Sequence, residues 1–200
     1  GEYGDPYTVM GYSSSGHHNA PHKREIGWLD EKNIATASEG TYTLSPLEIK
    51  PSGDEIQLIR VPISRETSYY LGKSSIYYTI EFRQPIDYDI VIKNYEGNDS
   101  YNGITIRVAE FDDKGKFTFM QSSLLDLALP PSKDQPSMFM VVGQSFVDNL
   151  NGHKITLEEV SGSGAEAAAK VKIEQIPKIE LDLGKPLVHY GFDEDISDSQ

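Results

Sequence analysis

Ile76-Tyr77-Tyr78-Thr79-Ile80-Glu81-Phe82 is a run of aromatic and β-branched side chains, the residue types that favour the extended backbone of a β-strand. It follows a similar run at residues 68–71 across Gly72, so the two runs predict a hairpin. Further along the chain, Ile104-Thr105-Ile106-Arg107-Val108 alternates apolar and polar side chains, as expected for a strand with one buried face. Many short runs of this kind, separated by turn residues, predict a mainly β fold and, within that class, a β-sandwich.

Two further runs belong to the predicted sheets. Residues 55–63 begin with alternating apolar side chains and then shift phase at Ile59, which indicates a β-bulge. A late strand is predicted to begin near Ala168, because residues 171–176 alternate even though the alanines before them favour a helix.

One short helix is predicted near the N-terminus. Asn19 can cap it, and Pro21 fits its first turn, where the missing N–H of proline does no harm. The helix is expected to run from Ala20 to about Asp30. Trp28 is expected to be buried between this helix and the sheet, because an apolar side chain of that size seldom stays in water.

The composition limits what the protein can bind. The 200 residues carry a formal net charge of −13 and include no cysteine, so disulfides and thiolate metal sites are excluded. An acidic chain without a basic stripe is not expected to bind nucleic acid or an anionic membrane. No apolar run is long enough for a membrane-spanning helix. Cation binding is compatible with the acidic charge.

The N-terminal segment has a residue order unlike that of an ordinary strand or helix. Its characteristic pieces are Tyr3-Gly4-Asp5, Val9-Met10-Gly11 with Tyr12, and then Asn19-Ala20 and Trp28-Leu29. This order resembles the Met-turn region of the metzincin zinc peptidases and, more narrowly, that of the gametolysin-like secreted metallopeptidases. Met10 matches the methionine that forms an apolar floor below the metal, and Gly11 allows the sharp turn after it.

The resemblance implies a secreted or extracytoplasmic zinc endopeptidase that acts on a protein substrate. In such enzymes three histidines of the pattern H-E-x-x-H-x-x-G-x-x-H bind zinc, and the glutamate is the general base. This sequence contains no H-E-x-x-H. The chain is therefore expected to be the C-terminal part of such an enzyme, inactive by itself, with zinc needed only in the complete enzyme.

Tyr12 is the one catalytic candidate that the resemblance supplies. It lies two residues after Met10, where some metzincins have a tyrosine that stabilises the oxyanion of the transition state. The alternative is an aromatic side chain that packs on the Met-turn.

The resemblance to gametolysin-like peptidases continues through the β region. The matching pieces, in chain order, are Tyr77-Tyr78, Glu81-Phe82-Arg83-Gln84-Pro85 with Asp89, Gly103-Ile104-Thr105-Ile106, Leu124-Leu125-Asp126, Gly143-Gln144-Ser145-Phe146 with Asp148, and Gly152 with Ile155-Thr156. Each piece is short, and the order of the pieces along the chain carries the resemblance.

Three histidines are candidates for a metal site within this chain. His17, His18 and His22 are close in sequence, but Pro21 disfavours a continuous helix that would place them on one face. The alternative is a solvated polar loop.

Aspartates in predicted turns are candidates for calcium. Asp112 with Asp113, and Asp148 with the asparagines that follow it, offer the oxygen ligands that calcium prefers. None of these loops has the EF-hand spacing, and aspartate and asparagine are also what ordinary turns require.

Glu81, Arg83 and Asp89 form a further constellation of charged side chains. Glu81 and Arg83 are two residues apart on a predicted strand, so they share one face, and Asp89 follows the next turn. The preferred interpretation is an arginine held by carboxylates that fixes the sheet to the N-terminal segment. The alternative is an ion cluster that binds a ligand.

The sequence divides into three segments. Residues 1–36 carry the Met-turn and the helix, residues 37–183 form the β-sandwich, and residues 184–200 are an acidic tail that is expected to be disordered. The Met-turn segment lacks the helix it would support, so it is expected to be exposed and available for self-association. The alternative to a peptidase is a stand-alone β-sandwich module that binds carbohydrate or a protein surface.

Overall fold

The computed structural model describes Asp5, Thr8 and residues 16–67, 74–94, 102–112, 117–127 and 138–179. Within these residues the fold is mainly β, as predicted, with one short α-helix and two sheets. The helix, α1, spans Ala20–Glu25. The strands in chain order are β1 (Ile34–Thr36), β2 (Gly40–Leu44), β3 (Leu58–Thr67), β4 (Ser74–Phe82), β5 (Gly103–Asp112), β6 (Phe117–Leu124), β7 (Met140–Val141), β8 (Ser145–Asp148), β9 (His153–Ser161) and β10 (Ala168–Gln175).

The first sheet has the strand order β1-β3-β4-β5-β6, and β7 also pairs with β5. Strand β1 is parallel to β3, whereas the other pairs are antiparallel. The first arm of the predicted hairpin, residues 68–71, lies outside the described residues. Strand β4 pairs with the earlier residues of β3, and Ile59 lies opposite Ile80. Gly103 is required where β5 meets β7, because a Cβ there would lie 2.7 Å from the carbonyl oxygen of Met140.

The second sheet has the order β2-β10-β9-β8, with every pair antiparallel. The late strand predicted near Ala168 is confirmed as β10. The solvent face of this sheet carries lysines and glutamates in surface pairs between β9 and β10, such as Lys154 with Glu174 and Lys170 with Glu158. This outer face is therefore built to remain in water.

The two sheets share one hydrophobic core. Alternate side chains of β3, β4 and β5 point toward the second sheet and meet alternate side chains of β9 and β10. Buried members of this core include Ile59, Val61, Ile80, Ile104 and Ile106 from the first sheet, and Ile155, Leu157, Val171 and Ile173 from the second.

The outer face of the first sheet is covered by the N-terminal part of the chain. Ala20 and Leu29 pack with Ile34, Leu47 and Leu58 in a second, smaller apolar cluster. Helix α1 lies against β4 and β6. The two sheets thus differ, since one presents a solvated outer face and the other a buried one.

Helix α1 is shorter than the sequence predicts. Asn19 caps it as predicted, accepting a hydrogen bond from the backbone N–H of His22 at 3.0 Å. The helix ends at Glu25 rather than near Asp30. Gly27, at φ +77°, adopts the left-handed conformation that commonly ends a helix.

The predicted burial of Trp28 is wrong. Its side chain is 65% exposed, and the neighbouring Leu29 is buried in its place. The early end of α1 explains why Leu29 rather than Trp28 is buried, because beyond Gly27 the side chains no longer follow helical spacing.

The bulge predicted at Ile59 is also displaced. Ile59 and Val61 both face the core, and the β3–β4 register shifts only after Ile63. The phase change in the sequence arises because β3 is buried on both faces, with Leu58 packed under the N-terminal segment.

The boundary predicted near residue 36 falls within the fold. Residues 34–36, assigned to the N-terminal segment, form β1 and pair with β3. The acidic tail at 184–200 lies outside the described residues. No helix among the described residues has the length and apolar character needed to cross a bilayer.

Candidate functional site

The residues with the clearest predicted roles lie outside the described part of the chain. These are Met10, Gly11 and Tyr12 of the Met-turn, and Asp113 of the predicted calcium pair. Asp112 is the last residue of β5, and only its backbone is described. Two neighbours of the Met-turn are described: Asp5 pairs with Arg107 of the first sheet, and Thr8 is buried.

His17 and His18 precede α1 and His22 lies within it, and the three rings do not converge. The ring of His18 is 6.0 Å from that of His22 and 5.8 Å from that of Trp28, measured between centroids. The ring of His17 faces Tyr88 at 5.7 Å. Among the described residues no three His, Cys, Asp or Glu side chains form a group that could hold a metal ion.

These imidazoles favour the neutral form. Burial lowers the pKa of each of the three rings. The positive charge of Lys23 lowers the pKa of His17 and His18 further, and His18 has the same effect on His22. Neutral rings fit their edge-to-face aromatic contacts beside the first sheet.

The most unusual feature beneath this segment is a set of charged side chains buried on the outer face of the first sheet. We call it the charge cluster, and its members are Asp5, Lys23, Glu48, Glu81, Arg83, Asp89 and Arg107. The side chains of Arg83, Glu48 and Asp89 are fully buried. Charges are seldom buried without partners, so the contacts within the cluster decide what it does.

Arg83 is the centre of the charge cluster. Its Nη2 lies 2.5 Å from Asp89 Oδ2, its Nε lies 2.9 Å from the same oxygen, and its Nε lies 3.4 Å from Glu48 Oε1. Glu81 is 4.0 Å from Nη1. Burial acts to lower the pKa of the guanidinium, but the three carboxyl groups outweigh it and raise that pKa. The predicted interpretation of an arginine held by carboxylates is confirmed.

A tight turn returns Asp89 to Arg83. The chain leaves β4 at Phe82, and Asp87 takes a left-handed φ of +49°, which aspartate tolerates better than most residues. A 3₁₀ helix, Asp87–Asn94, begins there, and the N–H of Asp89 donates to the carbonyl of Ile86 at 2.9 Å. The turn therefore places the Asp89 carboxylate against the guanidinium six residues before it.

Glu48 joins the cluster from the loop after β2. This loop is fixed by the side-chain amide of Gln57, which donates to the carbonyls of Pro46 and Ile49 at 2.5 and 2.7 Å. Glu48 Oε2 accepts from the N–H of Gln84 at 3.0 Å. Burial and a hydrogen bond with Asp89 raise the pKa of Glu48 well above its ordinary value.

Glu48 and Asp89 have opposite pKa shifts. Burial raises the pKa of Glu48 and so favours its protonated form, and burial also lowers the pKa of the neighbouring Lys23. Burial acts to raise the pKa of Asp89, but Arg83 and the proton donated by Glu48 lower it, so Asp89 is the ionised partner. The two acids behave as a coupled pair that holds one proton.

Glu81 links two arginines to the start of α1. Its Oε1 lies 3.5 Å from Nε of Arg107, and its Oε2 accepts from the backbone N–H of Ala20 at 2.7 Å. Arg107 also contacts the carboxylate of Asp5. An acidic side chain at a helix start is favourable, because the first N–H groups there have no partner within the helix.

The Asp148 turn, one of the calcium candidates, is closed by hydrogen bonds to its own carboxylate. Asp148 Oδ1 accepts from the N–H groups of Leu150 and Asn151 at 2.9 and 3.2 Å. Its Oδ2 accepts from the Tyr78 hydroxyl at 2.7 Å and from Asn151 Nδ2 at 2.5 Å. Four donors therefore satisfy the carboxylate, and the turn is held by hydrogen bonds, as an Asx turn is.

Several cluster members were not predicted, namely Lys23, Glu48 and Arg107. Arg107 falls at a polar position of the alternating strand β5, on the same face as Thr105, so the pattern predicts a solvated side chain rather than a buried one. Glu48 and Lys23 carried no local signal, since each lies in a segment whose neighbours in space are far away in sequence.

Comparisons of the chain with protein-family models, with curated proteins and with solved structures found no match. Function is therefore argued from the residues and from the geometry of the site.

Proposed function

We propose that this chain is the C-terminal part of a secreted, gametolysin-like zinc endopeptidase. In this proposal the Met-turn and α1 belong to the floor of the catalytic domain, and the two sheets form a β-sandwich that supports it. The chain by itself is inactive, because the zinc-binding helix is not part of its sequence.

The observation that carries the proposal is the asymmetry of the two sheets. The second sheet has a solvated outer face, whereas the first uses its outer face to bury Glu81, Arg83 and Arg107 under the segment that follows the Met-turn motif. Burying three charged side chains is costly, so their presence calls for a role that apolar residues could not fill. In this proposal that role is to support the overlying catalytic segment.

In this proposal the zinc ligands lie outside this chain. His17, His18 and His22 do not converge, and the described residues contain no group of three metal-binding side chains. The metal would be held by the histidines of an upstream H-E-x-x-H-x-x-G-x-x-H helix. What this chain contributes is Met10 below that site and Tyr12 beside it, with the sheets as their support.

The test compares two polypeptides, namely this chain and a longer gene product that includes the upstream region. The longer product is expected to cleave gelatin and casein, to lose activity with a chelator and to regain it with zinc. This chain is expected to cleave neither protein with any amount of added zinc. An upstream region that lacks the zinc-binding motif, or stoichiometric zinc binding by this chain through His17, His18 or His22, would contradict the proposal.

A second candidate function, a binding module, is favoured by two exposed aromatic side chains. Trp28 and Tyr88 are both largely exposed, and they flank His18 and His17. Exposed aromatic rings can stack on sugar rings or enter a protein interface. Trp28 is the only tryptophan, so quenching or a shift of its fluorescence on addition of soluble oligosaccharides would favour this candidate. A Trp28→Ala variant that retains the same affinity, measured by calorimetry, would exclude it.

A further inference from the structure

We propose that Arg83 and Asp89 form a backbone clamp, which grips both hydrogen-bonding groups of His17 and fixes where the N-terminal segment crosses the first sheet. Its role in catalysis rests on the proposed function, in which the clamp is a positioning device for the Met-turn upstream of it.

The clamp binds a peptide rather than a side chain. The backbone N–H of His17 donates to Asp89 Oδ1 at 2.6 Å, and its carbonyl accepts from Arg83 Nη2 at 3.1 Å. The same Nη2 also binds Asp89 Oδ2 at 2.5 Å. One ion pair therefore satisfies the donor and the acceptor of a single residue, and charged partners make both bonds stronger than bonds between neutral groups.

Gly16 is the residue that makes this approach possible. Its φ is +134°, a conformation that side chains with a Cβ rarely adopt. A Cβ at this position would lie 3.2 Å from Asp89 Oδ1 and 3.8 Å from Arg83 Nη2. A larger residue at position 16 would therefore combine a strained backbone with a close contact that the Asp89 carboxylate or the chain must move to relieve.

Two further contacts hold the same segment at intervals of three residues. The N–H of Ala20 donates to Glu81, and the Lys23 ammonium donates to the carbonyl of Leu47 at 2.5 Å. Every one of these partners comes from the body of the sheets or from the loop beside it. Residues 17, 20 and 23 are thus fixed in position by residues that lie between 24 and 72 positions away in sequence.

The clamp depends on the charges of Arg83 and Asp89, whereas ordinary apolar packing does not depend on charge. Glu48 donates its proton to Asp89 and lies beside Arg83, so the guanidinium and the carboxylate are held in one orientation. A fixed pair can position a peptide without a further loss of side-chain freedom. Apolar residues of the same volume would fill this space but would leave the His17 peptide groups without partners.

Amide hydrogen exchange of this chain tests the clamp directly. The amides of His17 and Ala20 are expected to be protected in the wild type, whereas an unclamped segment would exchange at the rate of an unstructured peptide. Gly16→Ala is expected to speed exchange at both positions about tenfold or more, the effect of losing hydrogen bonds to charged groups. The amides of Ile80 and Ile106 in the sheet core should keep their protection.

Gly143→Ala is the matched control. Gly143 also has a positive φ, +88°, and in the described part of the chain no heavy atom lies within 4 Å of an added Cβ. Gly143→Ala therefore also introduces the strain of a positive φ, away from the clamp, and should leave His17 protected. Rapid exchange of the His17 amide in the wild type would overturn the clamp, and this measurement does not depend on the folding of a variant. Full protection of the His17 amide in a folded Gly16→Ala variant would also overturn it.

The positioning role is tested in the longer chain that carries the zinc-binding helix. There Gly16→Ala is expected to lower kcat about tenfold with little change in KM, because a displaced floor affects the reacting geometry more than substrate binding. Gly143→Ala should change neither constant. If Gly16→Ala removes the protection of the His17 amide but leaves kcat unchanged, the positioning role is overturned. A longer chain without any peptidase activity would overturn the proposed function, while the exchange result would still decide the clamp.

Discussion

Arg83 and Asp89 are six residues apart in the chain, both side chains are fully buried, and Nη2 of the arginine lies 2.5 Å from Oδ2 of the aspartate. The pair joins β4 to the turn that follows it and, through His17, to the segment before α1. Most of what the structure adds to the sequence depends on this ion pair and on the side chains around it.

Removal of the arginine should be severe. Arg83→Met leaves Asp89 buried without its counter-charge, and breaking a buried pair in this way typically costs about 3–5 kcal/mol. The measurement is the free energy of unfolding from urea titrations followed by circular dichroism. Lys154→Met, which breaks an exposed pair on the second sheet, is the control and should cost no more than about 1 kcal/mol. Equal losses in the two variants would show that Arg83 does not hold the cluster together.

Glu48→Gln should change how stability depends on pH. The pKa of Glu48 is raised in the folded state, so the contribution of its proton to stability is complete below the ordinary value of 4.5 and is lost as pH rises through the folded pKa. A glutamine amide can donate to Asp89 at any pH. The variant should therefore lose less stability than the wild type between about pH 5 and the alkaline range.

The acid side of the same profile reports Asp89. Its pKa is lowered, so its contribution is present above the ordinary value of 3.8 and is lost as pH falls through the folded value. Both wild type and Glu48→Gln should show this acid loss. Glu158→Gln, at an exposed position of the second sheet, controls for the removal of one acidic group. Parallel pH profiles for wild type and Glu48→Gln would contradict the shared proton.

Tyr78 and Asp148 connect the two sheets through a buried hydrogen bond. Tyr78→Phe should lower the free energy of unfolding by about 1–3 kcal/mol, because it removes a bond to a carboxylate without opening a cavity. A double-mutant cycle with Asp148→Asn isolates the pair. Tyr42→Phe removes an exposed hydroxyl that bonds the carbonyl of Glu39, and it should cost no more than about 0.5 kcal/mol. A coupling energy of zero in the cycle would place the stabilisation elsewhere.

Trp28 and Leu29 should respond in opposite ways to truncation. Leu29→Ala is expected to cost about 2–5 kcal/mol, the range for buried leucines, whereas Trp28→Ala should cost less than about 1 kcal/mol. The native tryptophan emission should be red-shifted and open to a soluble quencher. A blue emission maximum that shifts during unfolding would mean that Trp28 is covered in solution.

The sequence predicted the strands because their signal is local. In a strand the side chains alternate between two faces, so an apolar–polar alternation in Ile104-Thr105-Ile106-Arg107-Val108 marks a buried face without knowledge of any distant residue. The cap at Asn19 and the late strand at Ala168 are equally local features. The shared face of Glu81 and Arg83 follows from the same period of two.

The sequence could not predict which charges meet, because that depends on the order of the strands in the sheet. Glu48 comes from the loop after β2, Arg107 from β5 and Lys23 from α1, and only the packing of the N-terminal segment on the first sheet brings them to Arg83 and Glu81. The exposure of Trp28 was decided in the same way, by the end of α1 at Glu25. Alternation along a strand determined which side chains share a face, whereas the burial of the charges on the outer face required the tertiary structure, since a buried charge is stable only where partners distant in sequence surround it.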